Sequence, residues 1–202
     1  ALEFEGLAMR GAVILMASAD SNCDIGSRDF KCVALDWYAR KHTHVVRSTF
    51  AAELHALLDA LGQGVLLNLT LTEIHNPGLS PKQLAQIQDQ GSLWPEMDGF
   101  IDARAVFDAI TADPVKQPTE KQLFIHLKAA RDLIDTDLLR RLFWIDTLDM
   151  LADGLTKGSV DRAALIRAGH ENIWRISGMK PAVFKKPSGK NLKIEEVAES
   201  SQ

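Results

Sequence analysis

Arg47-Ser48-Thr49-Phe50-Ala51-Ala52-Glu53-Leu54-His55-Ala56-Leu57-Leu58 opens the segment whose reading decides the fold. Phe50, Leu54, Leu57, Leu58, Leu61 and Val65 recur at helical spacing as one broad apolar stripe, which predicts a helix over 50–67. Ser48 or Thr49 offers a side-chain oxygen to its first unpaired amides. Ala52, Ala56 and Ala60 let another element approach closely. Gly62-Gln63-Gly64 falls inside the same apolar run and lacks the lysine-serine/threonine context of a phosphate-binding loop.

Working outward, Ala12-Val13-Ile14-Leu15-Met16-Ala17 reads as a strand covered on both faces. The polar run containing Asp20, Cys23 and Asp24 is turn material, because short polar side chains compete for backbone hydrogen bonds. A second strand over 31–38, carrying Cys32, Val33, Leu35 and Trp37, completes an antiparallel hairpin. Downstream, leucine mixed with threonine over 66–74 predicts a strand, and Asn76-Pro77-Gly78 a turn. A polar helix over 80–90 starts with Pro81, a loop surrounds Trp94-Pro95, and a short strand over 97–102 ends in Asp102. Helices are expected over 103–111, 119–133, 148–155 and 160–168, with a strand over 138–144. Alternation of this kind indicates a mixed sheet flanked by helices, an α/β fold. After Trp174-Arg175-Ile176, lysines mix with proline, glycine and later glutamates. The expected organisation is therefore one domain over 1–179 and a flexible mixed-charge tail over 180–202.

The chain of 202 residues is long enough for one substantial core, and its net charge of -4 gives no general attraction to a polyanion. Its two cysteines, Cys23 and Cys32, make neither a disulfide framework nor a metal cluster, and free thiols are expected. The reading finds no run long enough to span a bilayer, which leaves a membrane-protein partner open. His42 and His44 lack zinc-ligand company, and no Ser/His/Asp set is specific enough for covalent hydrolysis. Arg40, Lys41 and Arg47, with Lys121 and Lys128 further on, are the candidates for a phosphate-facing surface; a solvated face is the plainer reading.

Three separated segments resemble the ribonuclease H domain that ends copia-type retrotransposon polyproteins. Arg47-Ser48-Thr49-Phe50-Ala51-Ala52-Glu53 is similar to the family's capped helix bearing a metal-binding glutamate. Phe100-Ile101-Asp102-Ala103-Arg104-Ala105-Val106 resembles its strand-to-helix junction with the next acidic ligand. Asp149-Met150-Leu151-Ala152-Asp153-Gly154-Leu155-Thr156-Lys157 resembles its late acidic segment, and the order of all three agrees. The likeness covers roughly residues 7–168. His126 is a departure, since the family often has an acidic residue in that region; a structural or surface role is the simpler expectation for it.

The resemblance implies a ribonuclease H-like mixed sheet in which Glu53, Asp102 and Asp153 converge as catalytic carboxylates holding two Mg²⁺ ions and cleave the RNA strand of an RNA–DNA hybrid. It also implies an earlier strand bearing another metal-binding aspartate. Too little sequence precedes Leu7 to contain that strand and its connection, and Asp20 and Asp24 lie on the wrong side of the first hydrophobic element. The expectation is therefore truncation or loss of this part of the site, with restoration by a separate chain as an alternative. A missing acidic ligand removes charge and alters metal geometry together, so the leading expectation is a catalytically impaired domain kept as a protein-interaction or structural module, needing no cofactor. A metal-dependent hybrid nuclease completed by a missing segment and a non-catalytic nucleic-acid binder are the alternatives.

Overall fold

The computed structural model describes residues 8–18, 28–42 and 45–182. Asp20, Cys23, Asp24, His44 and the tail beyond residue 182 lie outside them. The chain is α/β, with two three-stranded sheets and helices packed on them.

Met9–Ala17 forms β1 and Arg28–Lys41 forms β2, which pair antiparallel with a bulge between Ile14 and Leu15. The expected double coverage of β1 is incomplete: Ala12 is buried, whereas Val13, Ile14, Leu15 and Met16 are only half-buried. Among the described residues β1 is also the edge of its sheet, pairing with β2 alone.

Helix α1, Thr49–His75, begins at Ser48, whose Oγ accepts the Ala51 N–H at 3.1 Å. It runs straight through 66–74, where a strand was expected. The threonine hydroxyls are absorbed locally: Thr70 Oγ1 donates to the Leu66 carbonyl at 3.1 Å and Thr72 Oγ1 to the Asn68 carbonyl at 2.7 Å. Asn68 Nδ2 also donates to the Pro95 carbonyl at 2.8 Å, and the Trp94 N–H donates to Thr72 Oγ1 at 2.9 Å. These contacts tie the second half of the helix to the following loop and override β-propensity. By length and composition the uninterrupted helix is apolar enough to cross a membrane, which the split reading missed. Its Leu54, Leu57 and Leu61 are buried in the protein core.

Pro81–Asp89 forms α2, started by a capping box between Ser80 and Gln83. Asp98–Ile101 forms β3, Arg104–Thr111 forms α3, and Phe124–Asp135 forms α4 after a 3-10 turn over Lys121–Leu123. Arg141–Ile145 forms β4, parallel to β3. The helix expected over 148–155 is two pieces, a 3-10 turn at Thr147–Asp149 and α5 at Asp153–Thr156. Asp146 starts the first piece early by accepting the Leu148 N–H at 2.9 Å. Ala163–His170 forms α6. Two strands follow that sequence reading leaves out: β5, Ile173–Ile176, on β2, and β6, Met179–Pro181, on β4. Strand β6 crosses the expected boundary at residue 179.

Both sheet orders are short, β1-β2-β5 and β3-β4-β6. Leu142 and Phe143 on β4 point to opposite faces, as strand pleating requires. One face meets α1, α3 and α4 through Leu54, Leu61, Ile110 and Leu127. The other meets β5 and α6 through Trp174, Ile176 and Ala168. On this second face a chain of rings crosses from sheet to sheet. Phe30 on β2 lies 5.9 Å from Trp174, Trp174 lies 4.9 Å edge-on to Phe100 of β3, and Phe100 stacks on Phe143 at 5.1 Å. Trp174 Nε1 also donates to the Asp149 carbonyl at 3.0 Å.

Trp174→Ala is expected to destabilise the protein by about 3–5 kcal/mol, the range for truncating a buried large aromatic. In a chain of this size that lowers the melting temperature by roughly 10 °C. A shift in thermal denaturation under about 2 °C would mean that the ring bridge does not couple the sheets.

Candidate functional site

The three acidic candidates come from three elements. Glu53 lies in the first turns of α1, Asp102 directly follows β3, and Asp153 opens α5. Their elements meet because residues at the contacts are small. A Cβ on Gly11 of β1 would lie 2.6 Å from Thr156 Cγ2 and 3.2 Å from the Tyr38 carbonyl oxygen, so glycine lets α5 rest on β1. A Cβ on Gly64 of α1 would lie 2.6 Å from the Met97 sulfur, so glycine also lets α1 approach the start of β3.

Glu53, Asp102, Asp153 and Lys157 all line one cavity of about 720 Å³ between β1, α1, β3 and the α5 turn. Asp102 is not a side-chain cap of α3, whose N-cap is Ala103 without a capping side-chain bond. The Asp102 carboxylate instead accepts a hydrogen bond from Thr147, and its carbonyl accepts Trp144 Nε1–H at 2.8 Å. Asp153 is buried, with its Oδ2 2.7 Å from Lys157 Nζ.

The carboxylates act on one another. Burial raises the Glu53 pKa above its ordinary value, the charges of Asp102 and Asp153 raise it further, and Lys157 opposes them. Burial likewise raises Asp102, followed by the charge of Asp153, against the Thr147 hydrogen bond and Lys157. For Lys157, burial works to lower the pKa but is outweighed by its bond to Asp153 and by the charges of Asp153, Asp102 and Glu53, so its pKa is raised. The ammonium is the counter-charge of the cluster.

A divalent ion needs several hard oxygens disposed around one point. Among the described residues no group of three histidine, cysteine, aspartate or glutamate side chains is placed to hold a metal ion. Lys157 is seated on Asp153, and the three carboxylates share one cavity and one field.

The basic candidates are dispersed. Arg40 and Lys41 end β2 on its exposed side, with the Arg40 guanidinium 4.1 Å from the Tyr38 ring centroid. Arg47 and Lys121 flank a contact in which the Ser48 hydroxyl donates to Glu120, which places an acid between them. Lys128 lies on α4, its Nζ 5.6 Å from the Phe124 ring centroid. Nearby, His42, His55 and His126 form a row, with ring centroids 6.2 Å and then 4.8 Å apart. His126 thereby takes a packing position. Burial, then the charge of Arg10, lowers the His42 pKa.

Sequence reasoning quoted Lys157 in the late resembling segment but did not name it as a site residue; its spacing of four from Asp153 on one helical turn was the further signal. Thr147 and Asp149 were missed as well. The buried Asp149 carboxylate accepts the Ser177 N–H at 2.7 Å and the Ser177 hydroxyl at 3.0 Å, a tie to the β5–β6 link. No local pattern announces a contact 28 residues away.

The raised carboxylates carry a sign. Glu53 and Asp102 bind protons more tightly in the folded chain than at their ordinary values of 4.5 and 3.8. Their contribution to stability is full below those values and is lost as pH rises through the folded pKa. At pH 7, Glu53→Gln and Asp102→Asn are therefore each expected to raise the melting temperature, by about 2–4 °C for each kcal/mol relieved. The gain should vanish near pH 3.5. Since the charges repel, the double variant should gain less than the sum of the single ones. Strict additivity in a thermal-melt cycle across pH would show that Glu53 and Asp102 do not meet.

Comparison with family models, curated proteins and solved structures gives no match for this chain.

Proposed function

We propose that this chain is a ribonuclease H-like domain related to those of copia-type retrotransposons, kept as a protein-interaction module without autonomous hydrolysis. One observation carries the reading: Lys157 Nζ sits 2.7 Å from Asp153, inside the cavity that Glu53 and Asp102 also line. The ammonium gives Asp153 a partner within the chain, which competes with a divalent ion for that carboxylate, and it leaves Glu53 and Asp102 raised by burial and by their acidic neighbours. The order of the acidic segments, the α/β architecture and the placement of Glu53, Asp102 and Asp153 around one cavity support the family.

A second reading, an Mg²⁺-dependent nuclease acting on the RNA strand of a hybrid, draws support from the pKa values of Glu53 and Asp102. Their elevation marks carboxylates crowded in the way a cation would relieve. The dispersed basic side chains and the intervening Glu120 weigh against a hybrid-binding surface.

Incubating the purified chain with an RNA–DNA hybrid and Mg²⁺ is expected to leave the RNA intact, with Asp102→Asn indistinguishable from the unaltered chain. Cleavage that Asp102→Asn abolishes would overturn the interaction reading in favour of the nuclease. Salt-dependent hybrid binding without turnover would favour a nucleic-acid binder instead.

A further inference from the structure

The cavity that gathers the acids is also a gap between two sheet edges. Strand β1 pairs only with β2, and β3 only with β4, among the described residues. Their remaining edges face the same space, which is lined by every residue of β1 and every residue of β3. Each edge presents a row of backbone N–H and C=O groups, which an incoming peptide backbone satisfies and a lipid or hydrocarbon does not.

The direction of each edge follows from its contacts with α1. Arg10 reaches Asp59, while Asp36, the partner of Ile14, reaches Gln63, so β1 advances along α1. Met97 abuts Gly64 and Gly99 abuts Leu61, so β3 runs back along α1. One strand laid between them is antiparallel to one neighbour and parallel to the other, a mixed pairing common in larger sheets.

The two faces of the gap are apolar. Ala56, Ala60 and Gly64 of α1 form one wall, and Leu151, Trp174 and Phe30 contribute to the other. The occupant therefore carries apolar side chains on both faces, the pattern of an interior strand. Nine residues in β1 and four in β3 set its length at about four to nine residues. Near Glu53, Asp102 and Asp153 the acids outweigh the ammonium of Lys157 and hold the Glu53 and Asp102 pKa values up, so a basic residue on the strand is complementary there.

By composition, residues 19–27 are polar and the stretch after residue 182 carries Pro187 and Gly189 among lysines, so neither supplies an apolar strand.

We propose that the gap between β1 and β3 is a binding slot for one extended apolar β-strand of a partner polypeptide, which joins the two three-stranded sheets into a single sheet. The proposal names the kind of partner for the interaction module described above and rests on that reading.

The full chain is titrated with a synthetic peptide of about eight residues, alternating valine and isoleucine with a lysine at each end, a length within the usual range of strands. Saturable binding is expected, with hydrogen-exchange protection of the edge amides of β1 and β3. The same peptide N-methylated at alternate amides keeps its side chains but loses edge pairing, and is expected to bind at least about tenfold more weakly. Ala60→Phe, which fills the slot from α1, should abolish binding while leaving the circular dichroism spectrum in place. Equal affinity for the N-methylated peptide, protection confined to other strands, or no binding by the folded chain would each overturn the slot. Hybrid cleavage by the same preparation would overturn the interaction reading and leave a positive peptide result standing. No cleavage and no peptide binding together would remove the slot alone.

Discussion

The contact between Trp174 and Phe100, ring centroids 4.9 Å apart, holds this architecture together. A three-stranded sheet needs its apolar face covered to be stable, and no hydrogen-bonded ladder joins the two sheets among the described residues. Their union rests on side chains: rings on one face, and α1 lying across on the other. Trp174 suits the task because it presents apolar area to Phe30 and Phe100 while its indole N–H finds the Asp149 carbonyl. Asp149 in turn fixes Ser177, so the link between β5 and β6 is anchored where the two sheets diverge.

The same packing positions the acids. Glu53 is carried on α1, Asp102 on the end of β3 and Asp153 on α5, and only the joint placement of the sheets brings these elements around one cavity. Gly11 and Gly64 are the permissive positions, each replacing a side chain with a neighbour's atoms. The acidic cavity and the unpaired edges of β1 and β3 are thus two aspects of one separation between sheets.

Legibility in the sequence follows the range of the determining interaction. Ser48 and the leucines of α1, the capping box at Ser80 and the hairpin of β1 with β2 are encoded within a few residues, and each was readable. The second half of α1 was not, because Thr70 and Thr72 argue locally for a strand while Trp94 and Pro95, more than 20 residues on, argue for the helix. Strand β5 was hidden for a similar reason. Ile173-Trp174-Arg175-Ile176 is too short to show periodicity, and its pairing is with Asp29 and Phe30, 146 residues from Arg175 in the case of the Asp29 ion pair. The acidic candidates were legible through resemblance to a family. Their electrostatic partner, Lys157, stood in the same resembling segment as Asp153, but its role shows only once the turn of α5 brings the two side chains together.

Lys157 decides how the cavity is to be understood. Three carboxylates at one end of a largely apolar gap repel one another, and the repulsion is relieved either by a bound cation or by a fixed one. Here the cation is covalently part of the chain, attached at 2.7 Å to the most buried of the three acids. One ammonium balances only part of the charge of three carboxylates: Glu53 and Asp102 stay raised by burial and by their acidic neighbours despite Lys157, so unbalanced negative charge persists at this end of the gap, beside the β1 and β3 edges that no described strand pairs.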